Sequence, residues 1–274
     1  EGFYEPADAP GTPPALWPAD VHFIGKDILK FHAVYWPIML KACGIALPGQ
    51  VLVHGWWQKD GAKMSKSTGN VVDPVAVVAD WGVDAFRYYV VRELDIGPDA
   101  NWTDAGFQAR YHADLANGLG NLVNRSLSML QRYRGGVVPS SSDELDGDAR
   151  QAVSHAEAAW RRHDLQHALI CTWDLVTRAN QYVDQTAPFK LAKDPAQSRR
   201  LEEVLYNLVE TCRVLAVLLW PFLPDTAVRL YRQLGLSEVP DRLAAAAWGG
   251  LMPGHRIGEP APLFPRRDAP KAIR

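Results

Sequence analysis

Residues 48–70 read PGQVLVHGWWQKDGAKMSKSTGN, and this stretch decides the expected fold. Its β-branched apolar run, Val51-Leu52-Val53, is bounded by Pro-Gly before it and by Gly55 after it, as is typical of a short buried strand in a parallel sheet. A helical apolar pattern precedes the strand from Ile24 to Leu40, where Pro37 is expected to kink or end the helix. A helix that leads into a buried strand indicates α/β architecture.

The polar segment from Lys59 to Asn70 follows the strand, and its glycines predict a loop. Its ammonium groups, Lys63 and Lys66, and its serine hydroxyls supply positive charge and donors suited to a bound polyphosphate. A solvated surface loop is the more common origin of such a stretch. Neither a Walker A pattern nor G-x-G-x-x-G occurs, which excludes the ordinary phosphate-binding loops.

The chain after Asp73 is predicted to be helical as far as about residue 236. A long amphipathic helix is expected from about Ala105 to Tyr133, because its apolar positions recur at steps of three and four. Residues 135–148 contain Gly-Gly, proline and three serines and predict a flexible connection. Antiparallel helices with short connections make a bundle, so the predicted fold class is α/β followed by all-α. The other helices are expected over residues 165–183, 195–219 and 224–235.

Composition limits the classes of protein that need to be considered. The 274 residues are 47% hydrophobic with a formal net charge of −2, which excludes disorder and predicts no global attraction to polyanions. No apolar run is long enough to cross a membrane, and the first residues lack the basic start and apolar run of a secretory signal, so a cytoplasmic protein is expected. Cys43, Cys171 and Cys212 are widely spaced and predict three small core residues, with neither disulfides nor a metal site.

Several motifs occur in the order that is typical of one family. Lys63-Met64-Ser65-Lys66-Ser67 resembles the KMSKS motif of class I aminoacyl-tRNA synthetases. The other segments resemble bacterial methionyl-tRNA synthetases, and the resemblance covers nearly the whole chain. It implies the C-terminal half of a Rossmann-like catalytic domain with its KMSKS loop, followed by an α-helical anticodon-binding bundle. The segments are WPADVHFIGKDI at 17–28, Phe31-His32, Trp36-Pro37, His54-Gly55-Trp56 and Pro262-Leu263-Phe264-Pro265-Arg266.

The resemblance implies ATP-dependent activation of methionine, with Mg²⁺ accompanying the ATP, and transfer of methionine to tRNA(Met). In this chemistry the methionine carboxylate attacks the α-phosphorus and pyrophosphate leaves, so a lysine that contacts the phosphates in the transition state lowers the barrier. Lys66 would be the principal such group and Lys63 would assist it. Met64, Ser65 and Ser67 complete the implied catalytic motif.

The resemblance also assigns two small-molecule subsites. Asp27, beside Gly25, would accept hydrogen bonds from the ATP ribose, and the backbone of Val53, His54, Gly55 and Trp56 would hold the adenine. Methionine would lie against a polarizable surface that suits its thioether. The residues implied for this surface are Ile28, Phe31 and His32. Without the resemblance, Ile28, Phe31, His32 and Trp56 would be predicted to be core residues.

In the predicted bundle, Asn121 and Arg125 lie one turn apart on a face away from the apolar stripe. By resemblance these side chains read the CAU anticodon, and polar groups of this kind can bond the edges of unstacked bases. Phe189 stands where the family typically has tryptophan as a base-stacking platform, and a phenyl ring still stacks over a smaller area. An ordinary inter-helix hydrogen bond is the alternative role for Asn121.

The second signature of class I synthetases, HIGH, is absent, because none of the eight histidines has a His-x-Gly-His arrangement. A parallel sheet without its leading strands exposes an edge and an apolar face, so we expect the chain alone to be inactive and to need a HIGH-containing partner, covalent or separate. The expected domains are 1–70 (catalytic), 71–104 (stem-contact connection), 105–250 (anticodon-binding) and 251–274 (tail), in a parent enzyme expected to be monomeric.

Two other functions are compatible with the sequence. The first is a split or truncated form that recognises tRNA without performing chemistry. The second is a class I synthetase for an aliphatic amino acid, which would share KMSKS but should lack Phe31-His32 followed by Trp36-Pro37.

Overall fold

The computed structural model of the protein describes residues 17–65 and 69–267. The chain forms two compact units. The first contains the described residues up to Val71 together with Leu94–Trp102, and the second contains Val72–Glu93 together with the described residues from Thr103 onward. The stretch expected to be a connection, 71–104, is therefore divided between the two units.

The first unit contains a two-stranded parallel sheet, β1 (Val21–Gly25) beside β2 (Gln50–His54), with Val21 opposite Gln50 and Gly25 opposite His54. The connection between the strands is helical throughout, as expected for a parallel crossover. It consists of a 3₁₀ turn (Lys26–Ile28), a π-helical segment (Phe31–Tyr35) and α1 (Trp36–Ala42). Pro37, predicted to kink or end the helix, does not end it, because residues 29–42 are helical without a break; Pro37 lies just after the change from π-helical to α-helical geometry at Trp36.

The prediction of a loop from Lys59 to Asn70 was wrong over its first part. A hairpin of β3 (Trp57–Lys59) and β4 (Ala62–Lys63) begins there, and β3 also pairs in parallel with β5 (Ala100–Trp102). Asp60 and Gly61 form the two-residue turn with φ of 51° and 76°, the left-handed conformation that such hairpins require. Asp-Gly is a strong hairpin signal in a sequence, but the polar composition and the glycines of residues 59–70 favoured the prediction of a loop.

The second unit is a helical bundle built around one long buried helix. Every residue of that helix, α9, is buried from Val204 to Leu219. The apolar stripe that was predicted on the helix from about Ala105 to Tyr133 is also buried, from Tyr111 to Leu130. The helices are α2 (Pro74–Trp81), α3 (Val83–Glu93), α4 (Asp104–Arg110), a π-helical segment (Tyr111–Gly120), α5 (Asn121–Arg134), α6 (Asp146–Arg161), α7 (Leu165–Thr186), α8 (Pro188–Leu191), α9 (Ser198–Leu219) and α10 (Pro224–Gln233), with 3₁₀ turns at Pro195–Gln197 and Leu243–Ala246.

Helix α6 was not predicted as a separate helix, because its buried face consists of alanines (149, 152, 156 and 159) rather than large apolar side chains. The connection before α6 was predicted to be flexible, and its hydrogen bonds contradict that prediction. The Asn207 side chain of α9 accepts from the Leu145 N–H at 3.0 Å and donates to the Ser142 hydroxyl at 2.8 Å. This segment is therefore fixed to the central helix.

Helix α3 is attached to the corner between α9 and α10 by two charged side chains one turn apart. The Asp84 carboxylate accepts the Thr226 N–H at the start of α10, at 2.6 Å. The Arg87 guanidinium donates to the carbonyls of Pro221 and Phe222 just after the end of α9, at 2.8 and 2.7 Å. Both contacts satisfy backbone groups that helix ends leave unpaired.

The cysteines do not all lie in the core. Cys171 and Cys212 are buried as predicted, and burial raises the pKa of the Cys212 thiol to about 12. Cys43 is exposed just after α1, so the prediction of a core residue was wrong there. Within residues 17–65 and 69–267, no helix is long and apolar enough to span a membrane.

We expect Glu144→Gln to weaken the bundle at neutral pH and not in acid. The hydrogen bonds from Arg200 lower the pKa of the Glu144 carboxyl below its ordinary value of 4.5, against the opposing effect of burial. A lowered pKa means that the ion pair stabilises the fold above the unfolded-state pKa, and that this stability is lost as the pH falls through the lower, folded-state value. The pair is partly exposed, so the effect should be about 0.5–1 kcal/mol.

Urea unfolding at pH 7 and pH 3 measures this difference. Glu157→Gln is the control, because Glu157 makes an exposed pair with Arg161 within α6. An equal loss for Glu144→Gln at both pH values would contradict the assignment.

Candidate functional site

The first candidate site lies where β1 and β2 end. Gly25 and His54 are the paired last residues of the two strands, and ligands of parallel sheets bind at such carboxyl ends. Asp27 follows at once, and its carboxylate has no hydrogen-bond partner among the described residues. A Cβ on Gly25 would lie 2.7 Å from the Asp27 Oδ1, so glycine is what lets this carboxylate lie beside the strand end.

The segment after β2 is held by Asp99, which follows the turn at Gly97-Pro98. The Asp99 Oδ1 accepts the Trp56 N–H at 2.8 Å, and the Ala100 N–H donates to the Trp56 carbonyl at 2.9 Å. Gly55, the residue before Trp56, is buried, and a Cβ there would lie 1.8 Å from the Pro98 carbonyl oxygen. Only glycine fits at this close approach of two backbone segments.

Two ammonium groups lie over the half-exposed indole of Trp56. The Lys26 Nζ is 4.2 Å from the ring centroid and also pairs with the Asp99 carboxylate, while the Lys63 Nζ is 5.0 Å away. The hydrogen bond from Lys26, followed by that from the Trp56 N–H, lowers the pKa of Asp99. The strand ends thus carry two cations and an accessible aromatic ring, chemistry that suits a polyphosphate attached to a purine.

Only the first part of the KMSKS motif lies within the described residues. Lys63 ends β4, and Met64 and Ser65 follow it half-buried. The Ser65 N–H donates to the Asn70 carbonyl at 3.3 Å, and the Asn70 amide donates to the Lys59 carbonyl at 3.2 Å, so the two sides of the segment are tied together. Lys66 and Ser67, the other predicted members of the motif, lie outside the described residues.

The residues implied for methionine lie along the crossover between β1 and β2. Among the described residues Ile28 and Phe31 are exposed, by 38% and 55%, so the reading of these side chains as core is contradicted. Trp56 is likewise 39% exposed. His32 is half-buried, with its Nδ1 3.1 Å from the Ile28 carbonyl and its ring 6.0 Å from that of His22. Phe31 begins the π-helical segment, a geometry often found at functional sites.

The second candidate site lies on α5 of the bundle. Asn121 borders a groove of about 390 Å³ with Asn124 and residues 262–266, and its side chain makes no hydrogen bond within the described part of the chain. The inter-helix role considered for Asn121 is therefore not observed. The Arg125 guanidinium pairs with Asp184 in the last turn of α7, at 3.2 Å. Phe189 is 45% exposed on α8, just beyond that turn.

The chain bends sharply before Phe189. Ala187 ends α7 with a φ of 45°, a left-handed conformation that is uncommon for a residue with a side chain. Pro188 then begins α8, where its fixed φ is favourable. The exposed phenyl ring of Phe189 therefore follows closely after the last turn of α7, which contains Asp184, the partner of Arg125.

Sequence reasoning missed Lys26 and Asp99 as members of the first site. Lys26 lies within the WPADVHFIGKDI segment, but its contact with Trp56 depends on the alignment of β1 with β2. Asp99 is 43 residues from Trp56, so no local spacing indicates the pair. A glycine-proline turn before an acid was the only available signal.

Among residues 17–65 and 69–267, no group of three or more His, Cys, Asp or Glu side chains could hold a metal ion.

Comparisons with known proteins match both parts of the chain. Residues 15–127 match the family described as tRNA synthetases class I (M), and residues 134–270 match the anticodon binding domain of methionyl tRNA ligase. Methionine–tRNA ligase of Caldanaerobacter subterraneus is 43% identical over 94% of this chain, and that of Bacillus subtilis is 42% identical over 94%. These matches cover 41% and 40% of the relatives, so the chain spans about two fifths of their length.

A solved structure shares the fold. Mycobacterium tuberculosis methionyl-tRNA synthetase in complex with methionyl-adenylate has a TM-score of 0.84 and 38% sequence identity. The match covers 92% of this chain and 51% of that one. The predicted fold class, α/β followed by all-α, is confirmed by the two family matches and by this likeness.

Proposed function

The chain belongs to the methionyl-tRNA synthetases of class I, and from this premise we propose that it contributes to ATP-dependent activation of methionine and its transfer to tRNA(Met). The observation that carries the proposal is the likeness to the methionyl-adenylate complex of a 38% identical synthetase over 92% of this chain. The alternative of a synthetase for another aliphatic amino acid has no support, because the family matches and the relatives are specific for methionine.

In this proposal the first site binds ATP. The Asp27 carboxylate, which has no hydrogen-bond partner among the described residues, accepts hydrogen bonds from the ribose, and the backbone from Val53 to Trp56 lies against the adenine. The ammonium groups of Lys63 and Lys66 contact the phosphates, where negative charge increases as pyrophosphate leaves. Methionine lies against Ile28, Phe31 and His32. Mg²⁺ enters with the ATP phosphates, because it is usually bound through substrate phosphates and few protein ligands.

The proposal includes a complementary HIGH-containing segment, covalent or separate. Its support is an apolar surface that the described part of the first unit leaves exposed around β1 and the crossover. Clustered exposed apolar side chains often mark an interface. The side chains are Phe23, Ile28, Leu29, Phe31, Val34, Tyr35, Ile38 and Met39, each at least 38% exposed. We further propose that the complete enzyme is a monomer that acts in the cytoplasm.

The proposal is tested by methionine-dependent exchange of labelled pyrophosphate into ATP. The chain alone is expected to be inactive, and a mixture with a HIGH-containing half is expected to be active. Lys66→Ala in the mixture should lower the exchange rate about a hundredfold, because removal of one group that stabilises transition-state charge typically costs that much. Lys59→Ala is the matched control, since Lys59 lies in β3 outside the motif. Exchange by the chain alone would contradict the need for a partner.

A second candidate function is recognition of tRNA without chemistry. The observation that favours it is the match of residues 134–270 to an anticodon-binding domain, which is independent of the KMSKS motif. If the mixture assembles and shows no exchange while the chain still binds tRNA(Met), this function replaces the first.

A further inference from the structure

One open groove of the bundle has no role in the function proposed above. It has a volume of about 600 Å³ and lies between the second half of α5 and the C-terminal strap, by which we mean residues 251–267. Helix α5 contributes Ser128, Gln131 and Arg132, and the strap contributes residues 256–260. The polar side chains of both walls are exposed, so an extended polymer could lie along the groove.

The strap wall is fixed by its backbone. The Ile257 N–H donates to the Gly136 carbonyl at 2.9 Å, and the Gly258 N–H donates to the Gln233 carbonyl at the end of α10, also at 2.9 Å. The Gln233 side chain accepts the Ala261 N–H at 2.9 Å. These bonds hold the strap between α5 and α10 and leave its charged side chains to face the groove.

Two guanidinium groups in the groove lack carboxylate partners among the described residues. The Arg132 guanidinium lies 5.7 Å from the centroid of the Tyr133 ring, and Arg256 uses one N–H to bond the Gly135 carbonyl at 2.7 Å. The other arginines of α5 are neutralised, since Arg125 pairs with Asp184 and Arg134 with Glu202. A guanidinium has five N–H donors, so both groove arginines keep donors for a ligand.

The groove has a net positive charge, because Glu259 is the one acid among its lining residues. The planar fork of a guanidinium group matches the oxygens of phosphate and can bind them bidentately. Arg132 also lies two turns beyond Arg125 on the same exposed face of α5, about 10 Å along the helix axis. The groove is thus continuous with the face that carries the candidate anticodon residues.

We propose that Arg132 and Arg256 hold a backbone phosphate of an RNA strand whose bases contact Asn121 and Arg125. The inference rests on the proposed function, and it adds a phosphate subsite two turns along α5 from the base-reading residues. Phosphate contacts fix the register of a strand and carry no sequence information of their own. The two arginines would therefore strengthen binding of every stem-loop equally and leave anticodon discrimination unchanged.

The test uses the full chain and a fluorescent RNA stem-loop that carries the CAU anticodon. Arg132→Gln and Arg256→Gln should each weaken binding roughly fivefold at 0.15 M KCl and lower the slope of log K against log[KCl] by about 1. Arg132→Lys should keep most of the affinity, and Glu259→Gln should strengthen binding because it removes the repelling charge. Arg161→Gln is the control, since Arg161 is exposed on α6 in a pair with Glu157.

The outcomes separate this proposal from the function on which it rests. If the chain fails to bind the stem-loop, anticodon recognition is wrong and the subsite with it. If the chain binds and prefers CAU over a changed anticodon, but the two groove variants match the Arg161→Gln control, the subsite alone is overturned. A loss confined to the CAU stem-loop would also overturn it, because it would show base reading in place of phosphate binding. Unchanged melting temperatures confirm that the variants are folded.

Discussion

Glu210→Ala is expected to lower the free energy of unfolding of the bundle by about 3–5 kcal/mol, because it leaves a buried charge without its partner. Glu210 is fully buried in α9 and bonds the Arg213 guanidinium one turn further along. Its carboxylate also accepts the N–H groups of Gly249, Gly250 and Leu251, at 2.7 to 3.0 Å. One side chain therefore satisfies a buried cation and three backbone donors.

The partner group extends the same cluster. The Arg213 guanidinium donates to the carbonyls of Ala245 and Ala247, each at 2.5 Å. The pair thereby ties residues 245–251 to the central helix. An alanine at 210 would remove the carboxylate partner of the guanidinium and the acceptor of the three N–H groups, and a buried group left unsatisfied costs about 1–3 kcal/mol.

Urea unfolding of the full chain, followed by circular dichroism, measures this effect. Glu202→Gln is the matched control on the same helix, since its pair with Arg134 is partly exposed and should contribute less than about 1 kcal/mol. The double variant Glu210→Met with Arg213→Met should recover part of the loss, because the cation is gone while the three N–H groups stay unpaired. A loss below 1 kcal/mol for Glu210→Ala would show that the cluster does not hold the bundle together.

Gly55→Ala is expected to disrupt the first unit, with a local loss of about 3 kcal/mol or more. The new Cβ would lie 1.8 Å from the Pro98 carbonyl oxygen and 2.7 Å from the Asp99 nitrogen, and both are backbone atoms. One of the two segments must move, and this breaks the hydrogen bonds that join Trp56 to Asp99 and Ala100. The proposed adenine and phosphate contacts would lose their support together.

Amide hydrogen exchange at Trp56 and Ala100 reports the change directly. We expect about a hundredfold loss of protection, the equivalent of roughly 3 kcal/mol. Gly44→Ala is the control in the same unit, since a Cβ there meets no atom within 4 Å and the cost is limited to that of its positive φ of 69°. Retained protection in Gly55→Ala would mean that the close approach of the two segments is relaxed in solution.

Helix α6 shows which kind of helix apolar periodicity does not identify. Apolar periodicity located the helices that bury large side chains, such as α7 and α9. Helix α6 buries alanines, whose small side chains let it lie close to α7 and give little contrast with the polar residues around them. The pattern was weak because the helix contributes little apolar area per residue.

The hairpin at Asp60-Gly61 shows a second limit of sequence-based prediction, which concerns very short strands. The local signal for a two-residue turn was present, but its flanking strands contain two and three residues and carry no apolar alternation. The hairpin pairs with β5, some forty residues later, and the Gly61 N–H bonds the Asn101 side chain at 2.8 Å. Strands this short become stable through partners that are distant in the sequence.

The sequence by pattern alone predicted the α/β-then-helical order of the chain and the strand before the KMSKS motif. The roles of Asp27, Asn121 and Phe189 came from the resemblance of contiguous motifs to a known family, and they stay predictions. The folded structure was needed to show that Asp99 holds Trp56, that Glu210 anchors residues 245–251, and that Arg132 and Arg256 line the same groove. Such contacts join residues far apart in the chain, and their energy depends on burial and distance, which appear only after the chain has folded.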